Sequence, residues 1–301
     1  FMKKHAYLII AHNQFALLKE LLKSIDDERN DIYIHIDKKI KNIESIKLKK
    51  VCNYSNIYFT ERISVSWGSE SLIKATMILL KNSTSNTQEY SYYHFISGQD
   101  FPLKSQDKIH NFFDEHQGYE FISCRKPSQA EMERIKFYYP FQQIFGGRTI
   151  FNKVGKRVSV FFQKVLSIDR TKEAYKVYGI GSQWFSITNR MAEYIVSQED
   201  KIKKYFYKGL CADEMFLQTL WLNAPFYNEN MRYHSERRNH PCIQEIFFDV
   251  VRAIDFSRGN IESPYVFDEK DYEMLIESNC CFARKMEEQK SKELIKKLSK
   301  F

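Results

Sequence analysis

Ala6-Tyr7-Leu8-Ile9-Ile10-Ala11, then Leu17, Leu18, Leu21, Leu22 and Ile25, then Asp31-Ile32-Tyr33-Ile34-His35-Ile36-Asp37: the reading of this stretch decides the fold. The first run is continuously apolar and short, as a buried strand is, and the five apolar residues behind it recur at helical spacing and predict a helix over 14–25. The third run is β-branched and aromatic and stops at Lys38-Lys39, which reads as a second strand. Strand, helix and strand make a βαβ unit with parallel strands. Working outward, Ile57-Tyr58-Phe59 predicts a third strand, 69–81 a helix and 92–97 another buried strand. This alternation predicts an α/β chain, a Rossmann-type, mainly parallel sheet flanked by helices. Farther along, 130–139 reads as a charged, aromatic-rich helix or loop and 152–168 as a basic amphipathic stretch. A strand is expected at 179–188, with helices at 189–198, 213–222, 269–278 and 285–298.

The 301 residues are 43% hydrophobic, with no repeat and no low-complexity linker, so a single compact domain over 1–301 is expected. The net charge of +8 favours an anionic partner. Nucleic acid would be met by a basic stripe interleaved with aromatics, and only a diffuse basic excess is present, so none is expected as a partner. Cys52, Cys124, Cys211, Cys242, Cys280 and Cys281 have neither metal-site nor disulfide-framework spacing, so reduced thiols are expected. The run 6–11 is too short for a signal segment and no stretch has the length of a membrane span, which leads us to expect a cytoplasmic protein.

Several chemistries are excluded by pattern. The eight histidines are scattered, without zinc-site spacing, and neither a phosphate-binding Gly-Lys loop, a dinucleotide glycine fingerprint nor a serine nucleophile elbow occurs. In a parallel sheet a ligand lies beyond the carboxyl ends of the strands. Two such ends are polar: His35-Ile36-Asp37-Lys38-Lys39 and Ser97-Gly98-Gln99-Asp100. No Asp-x-Asp stands in a suitable place to hold a divalent cation for a diphosphate, whereas Lys and Arg can neutralise the same charge. No metal cofactor is therefore expected.

The segment Ser97-Gly98-Gln99-Asp100-Phe101-Pro102-Leu103-Lys104 resembles the Ser-Gly-Gln-Asp-Phe/Tyr-Pro-Leu-Lys signature of the core-2/I-branching and peptide xylosyltransferase family. Tyr7 to His12, Ile34 to Lys39 and Val65-Ser66-Trp67-Gly68-Ser69 fall in the same order. So do Gly181-Ser182-Gln183-Trp184-Phe185, Asp213-Glu214 and Phe282-Ala283-Arg284-Lys285, and the resemblance spans 6–286. It implies a GT-A-like fold, a metal-independent transfer from a UDP-sugar with inversion, and a glycan acceptor. It implies a nucleotide-binding half over about 1–125 and an acceptor-binding, catalytic half over about 126–301.

The family's general base maps onto Glu214, the second acid of Asp213-Glu214. Read unaided, burial and the neighbouring Asp213 would raise the Glu214 pKa toward a useful range; equally, the two acids could simply complement a helix N-terminus. A lysine that holds the leaving diphosphate maps onto Lys285. Where the family has a second cation this chain has Tyr265, so Arg258 is the expected substitute, with Arg284 and Arg252 behind it. Asp37, His12, Trp67 and Asp100 are expected at the donor, although Asp100 before Phe101-Pro102 is also a turn former. Trp184, Glu133 and Arg134 are expected at the acceptor; a buried tryptophan and a surface ion pair are the alternatives. The Lys, Ile and Asn content suggests bacterial surface polysaccharide synthesis, with a lipid-linked acceptor and contact of 153–164 with the inner face of the membrane. The alternative is a silent sugar-binding relative.

Overall fold

The computed structural model describes residues 4–41, 48, 50–140, 142, 150–172, 174–232, 251–259 and 263–300. Cys242 lies outside them; the other five cysteines are free thiols.

The opening unit forms as its spacing predicts: β1 (Lys4–Ala11), α1 (Phe15–Ser24) and β2 (Asn30–Ile36). They are followed by β3 (Asn56–Phe59), α2 (Glu70–Thr84) and β4 (Tyr90–Ser97). After β4 come β5 (Asp100–Pro102), α3 (Gln106–Glu115), β6 (Phe121–Ile122), α4 (Gln129–Lys136) and α5 (Ile150–Val165). β7 (Phe185–Thr188), α6 (Asn189–Ser197), α7 (Glu199–Tyr205) and α8 (Phe216–Leu222) lead to β8 (Arg252–Ile254). α9 (Tyr272–Glu277), β9 (Phe282–Arg284) and α10 (Lys292–Leu298) complete the described elements.

The central sheet has the order β3-β2-β1-β4-β7-β6. β3, β2, β1 and β4 run parallel, and β7 and β6 join antiparallel. The architecture is thus a mixed α/β domain around a mostly parallel sheet, and β7 sits in that sheet between β4 and β6. Successive side chains of a strand point to opposite faces, and β1 divides accordingly. Tyr7, Ile9 and Ala11 pack in one core with Leu17, Leu18, Leu21 and Leu22 of α1, whereas Ala6 and Leu8 pack in another with Ile73, Met77 and Leu80 of α2. Register aligns Ala11 with Ile36 and Ile10 with Ser97, so β1, β2 and β4 end side by side at one edge.

A smaller sheet, β5-β9-β8, stands beyond that edge. Its three-residue strands are absent from the sequence reading, as are α3 and α7. The helix expected at 285–298 covers only Lys292–Leu298, because Phe282–Arg284 is strand. The helix expected at 213–222 begins at Phe216, and a 3-10 turn, Ala212–Glu214, holds the two acids ahead of it.

Candidate functional site

Three strand ends build one wall. Asp37 N–H donates to the Ala11 carbonyl at 3.0 Å and Gly98 N–H to the Ile10 carbonyl at 3.0 Å, so Asp37, His12 and Gly98 follow one another across the sheet edge. Arg62 holds the turn after β2, donating to the carbonyls of Ile36, Asp37 and Ile40. The Asp37 carboxylate is 6% exposed and accepts from Lys39 N–H at 2.9 Å. His12 is exposed yet closely surrounded, and this lowers its pKa; Asp37 opposes the shift, while Arg284, Lys285 and Lys39 add to it. Three cations therefore act on one imidazole at the strand ends.

The second wall joins segments far apart in the chain. β5 pairs antiparallel with β9, setting Asp100 against Arg284 and Phe101 against Ala283, while Met286 N–H donates to the Gln99 carbonyl at 2.9 Å. Asp100 is fully buried. One oxygen meets Arg252 Nε at 2.7 Å; the other accepts from Ser97 N–H at 2.9 Å and Ser97 Oγ at 2.6 Å, and lies 3.1 Å from Arg284 Nη1. Arg284 also bonds Ser97 Oγ and lies 4.5 Å over the Trp184 ring, whose packing continues onto Phe95 at 5.3 Å. Arg284 keeps 17% of its side chain exposed and Lys285, paired with Glu287 at 3.1 Å, keeps 20%.

Glu214 occupies the 3-10 turn and accepts from Arg134 Nη1 at 2.8 Å, with 44% of the glutamate side chain exposed. Arg134 is delivered by α4, which is stopped at its N-terminus by a reciprocal Ser128–Glu131 capping box. Burial falls on the neighbour instead: Asp213 is driven up to about 7, first by desolvation and then by the Glu214 charge, and its Oδ1 is buried without a hydrogen-bond partner.

Two connectors tie this turn to the cationic wall. Gly181 N–H donates to the Glu214 carbonyl at 2.9 Å, while Trp184, three residues on, carries Arg284. A Cβ at Gly181 would stand 1.9 Å from the Ser123 carbonyl oxygen, so no other residue fits that contact. Along the other connector, Lys38 N–H donates to the Ile63 carbonyl, Lys39 Nζ donates to the Val65 carbonyl at 2.5 Å, and the Gly68 carbonyl accepts from Cys211 N–H at 2.9 Å. Gly68 has φ +67° and its Cα faces Cys211 Sγ so closely that a Cβ would lie 2.9 Å away. Trp67, between these anchors, is 57% exposed.

The structure thus brings His12, Asp37, Lys39, Arg284 and Lys285 together and links them through Trp67 and Trp184 to Glu214 and Arg134. Several expected contacts are not available. Asp100 has no exposed surface, because Ser97 and two arginines consume it; it is the turn former and positions Arg284. Arg252 is likewise 0% exposed and cannot meet a ligand. Trp184 is 7% exposed between Phe95 and Arg284, so it offers no face to a sugar. Glu133 pairs with Lys164 of α5 at 2.7 Å, a surface ion pair with both side chains half-exposed. Arg258 is fastened by Asp255 at 2.5 Å and Asp271 at 2.7 Å and stacks 4.1 Å over Tyr265; its charge is already met, and it is not among the cations that act on His12. Glu214 is 44% exposed, and burial raises the pKa of its neighbour Asp213. Sequence reasoning ranked Arg284 behind Arg258 and missed Lys39; both flank residues it did single out, Lys285 and Asp37. Among the described residues no group of three His, Cys, Asp or Glu side chains is placed to hold a metal ion.

A profile of Core-2/I-Branching enzymes matches residues 5–257. The chain belongs to the Core-2/I-branching enzyme family. It is 28% identical to Xylosyltransferase sqv-6 of Caenorhabditis briggsae over 236 residues, covering 75% of this chain and 27% of that protein. Human Xylosyltransferase 1 is 22% identical over 248 residues, which cover 79% of this chain and 24% of the human protein. Beta-1,3-galactosyl-O-glycosyl-glycoprotein beta-1,6-N-acetylglucosaminyltransferase 4 of Danio rerio is 24% identical over 201 residues, covering 64% of this chain and 44% of that protein. This Core-2/I-branching family member therefore spans between 24% and 44% of the length of these relatives.

Proposed function

We propose that the chain is an inverting glycosyltransferase that moves a sugar such as GlcNAc or xylose from a UDP-sugar to a carbohydrate hydroxyl without a metal ion. The observation that carries this reading is the pair of connectors, 63–68 and 181–184, which join a half-exposed carboxylate to a crevice ringed by Lys39, Arg284 and Lys285. In-line displacement needs a base at the acceptor hydroxyl and cations at the leaving diphosphate on the opposite side of the sugar. Glu214 takes the hydroxyl proton; Arg134 orients it and is released cheaply, since a pair this exposed contributes little stability. Arg284 and Lys285 meet the charge that grows on the diphosphate, in place of Arg258. Asp37 and His12 line the nucleotide side, and exposed Trp67 offers an apolar face to a sugar ring.

The relatives named for xylosyl and N-acetylglucosaminyl transfer support the reaction class. A place in bacterial surface polysaccharide synthesis, at the cytoplasmic side of the membrane, rests on composition and on α5. The test is thermal stabilisation by a panel of nucleotide-sugars, followed by transfer assays in EDTA. Stabilisation by a UDP-sugar and transfer that survives chelation are expected. No shift with any donor overturns the reading, and loss of transfer restored by manganese overturns its metal-free form.

A further inference from the structure

Helix α5 is amphipathic in the wrong sense for a helix packed on a core. Among its described side chains, contact with the body runs through Gln163, which is 8% exposed and exchanges hydrogen bonds with both the N–H and carbonyl of Tyr138, and through Lys164, which pairs with Glu133. Val158, Phe161, Phe162 and Val165, with Leu166 just beyond the helix, are between 50% and 70% exposed. At 3.6 residues per turn Val158, Phe161 and Val165 fall on the face roughly opposite Gln163, and Phe162 lies beside that face. Of twelve large hydrophobic side chains exposed among the described residues, five lie within 158–166. Contiguous exposed apolar surface of this kind marks an interaction site.

Charge names the occupant. From 146 to 168 the chain carries Arg148, Lys153, Lys156, Arg157 and Lys164 and no acidic residue at all, and the described Arg157 and Lys164 are exposed beside the apolar face. Among the described residues no helix is long and apolar enough to cross a membrane. A helix with aromatic residues on one face and only basic charge beside it lies in the plane of an anionic lipid surface, rings inserted at the headgroup boundary.

We propose that α5 seats the protein on an anionic phospholipid bilayer through Phe161, Phe162, Val165 and Leu166, with Arg157 at the headgroups. A placement of the acceptor side toward the lipid follows, and this step rests on the transferase reading. α4 carries Glu133, which holds Lys164 of α5, and the next residue, Arg134, holds Glu214. Acceptors carried on lipid would then be presented on the side of the base.

The test is co-sedimentation of the purified chain with phosphatidylglycerol-containing vesicles and with pure phosphatidylcholine vesicles, which needs no transfer and so fails or succeeds independently of the reaction. Binding to the anionic vesicles alone is expected. Phe161→Ser combined with Phe162→Ser should weaken it by about tenfold or more, with an unchanged circular dichroism spectrum, because both rings already face water. Arg157→Glu, which alters charge without touching the apolar face, should weaken it several-fold. Absence of binding to anionic vesicles, or binding that neither variant alters, overturns the proposal. So does a vesicle-indifferent protein that light scattering finds dimeric and the double variant monomeric, since a second copy would then cover the face.

Discussion

Asp100 opens β5 just after the turn that ends β4, Glu214 closes the 3-10 turn ahead of α8, and each is held by arginine, yet the two pairs differ in what they can do. Asp100 and Arg252 are both 0% exposed; Glu214 and Arg134 are 44% and 31% exposed. In a buried pair, removal of one partner strands the other charge in the interior, whereas an exposed pair separates at little cost. The first is a rivet within the small sheet, joining β5 to β8, and Arg252 extends it to β4 through the Phe95 carbonyl. The second is a latch, which suits the base that we propose Glu214 to be. The lesson is that exposure, not residue type, divides support from chemistry in this site.

The difference is open to breakage. Asp100→Ala should have the largest effect, a loss of about 3–5 kcal/mol read from urea unfolding, because Arg252 would keep its charge without a partner. A mild loss would show that water reaches the pair. Glu214→Gln should leave stability within about 1 kcal/mol of wild type. Its transfer rate should fall by about a hundredfold or more, as expected for a general base. Near-normal turnover would move the base to Asp213 and dissolve the contrast.

Lys285→Ala and Arg284→Ala should each weaken binding of free UDP by about tenfold, measured by calorimetry, as loss of a charge-assisted contact does. Arg258→Ala should leave UDP binding unchanged, and equal losses at all three positions would restore Arg258 to the site. The smallest effect concerns pH. The Asp213 carboxyl has a folded pKa of about 7 against an ordinary 3.8, so the folded protein holds a proton that the unfolded chain releases earlier. Its contribution to stability is present below about pH 4 and is lost as the pH rises toward 7. Asp213→Asn should therefore raise the melting temperature at pH 8 by a few degrees, roughly what one or two kcal/mol produce in a domain of this size, and the gap should close near pH 4.

The opening βαβ unit was legible because Ala6–Ala11 of β1 is continuously apolar, Ile32–Ile36 of β2 is β-branched and aromatic around a single histidine, and α1 repeats leucine on one face; local pattern and burial agree there. β5, β8 and β9 were not, since three residues cannot express an alternation and their pairing is a tertiary event. α3 escaped because only Ile109 and Phe113 of its ten residues are buried apolar positions among charged neighbours. The candidate residues were legible as letters but not as surfaces. Trp67 and Trp184 read alike in sequence, and one is 57% exposed while the other is 7%. Arg258 and Arg284 are both arginines near Lys285, and only the carboxylates around Arg258, which come from three and thirteen residues away, reveal that its charge is taken.

The pairing of β5 with β9 also sets an order of assembly. Ser97 and Arg284 are 187 residues apart, so the crevice closes through one of the longest loops in the chain, and such contacts form late because the closure entropy precedes any gain. A chain emerging from the ribosome carries the whole Ser-Gly-Gln-Asp signature and most of the central sheet well before Phe282 arrives. Until then Asp100 and Arg252 have no lid. The pairing that places Arg284 and Lys285 beside the strand ends is in this way postponed until synthesis has passed Lys285, and an interrupted chain carries the signature without those two cations.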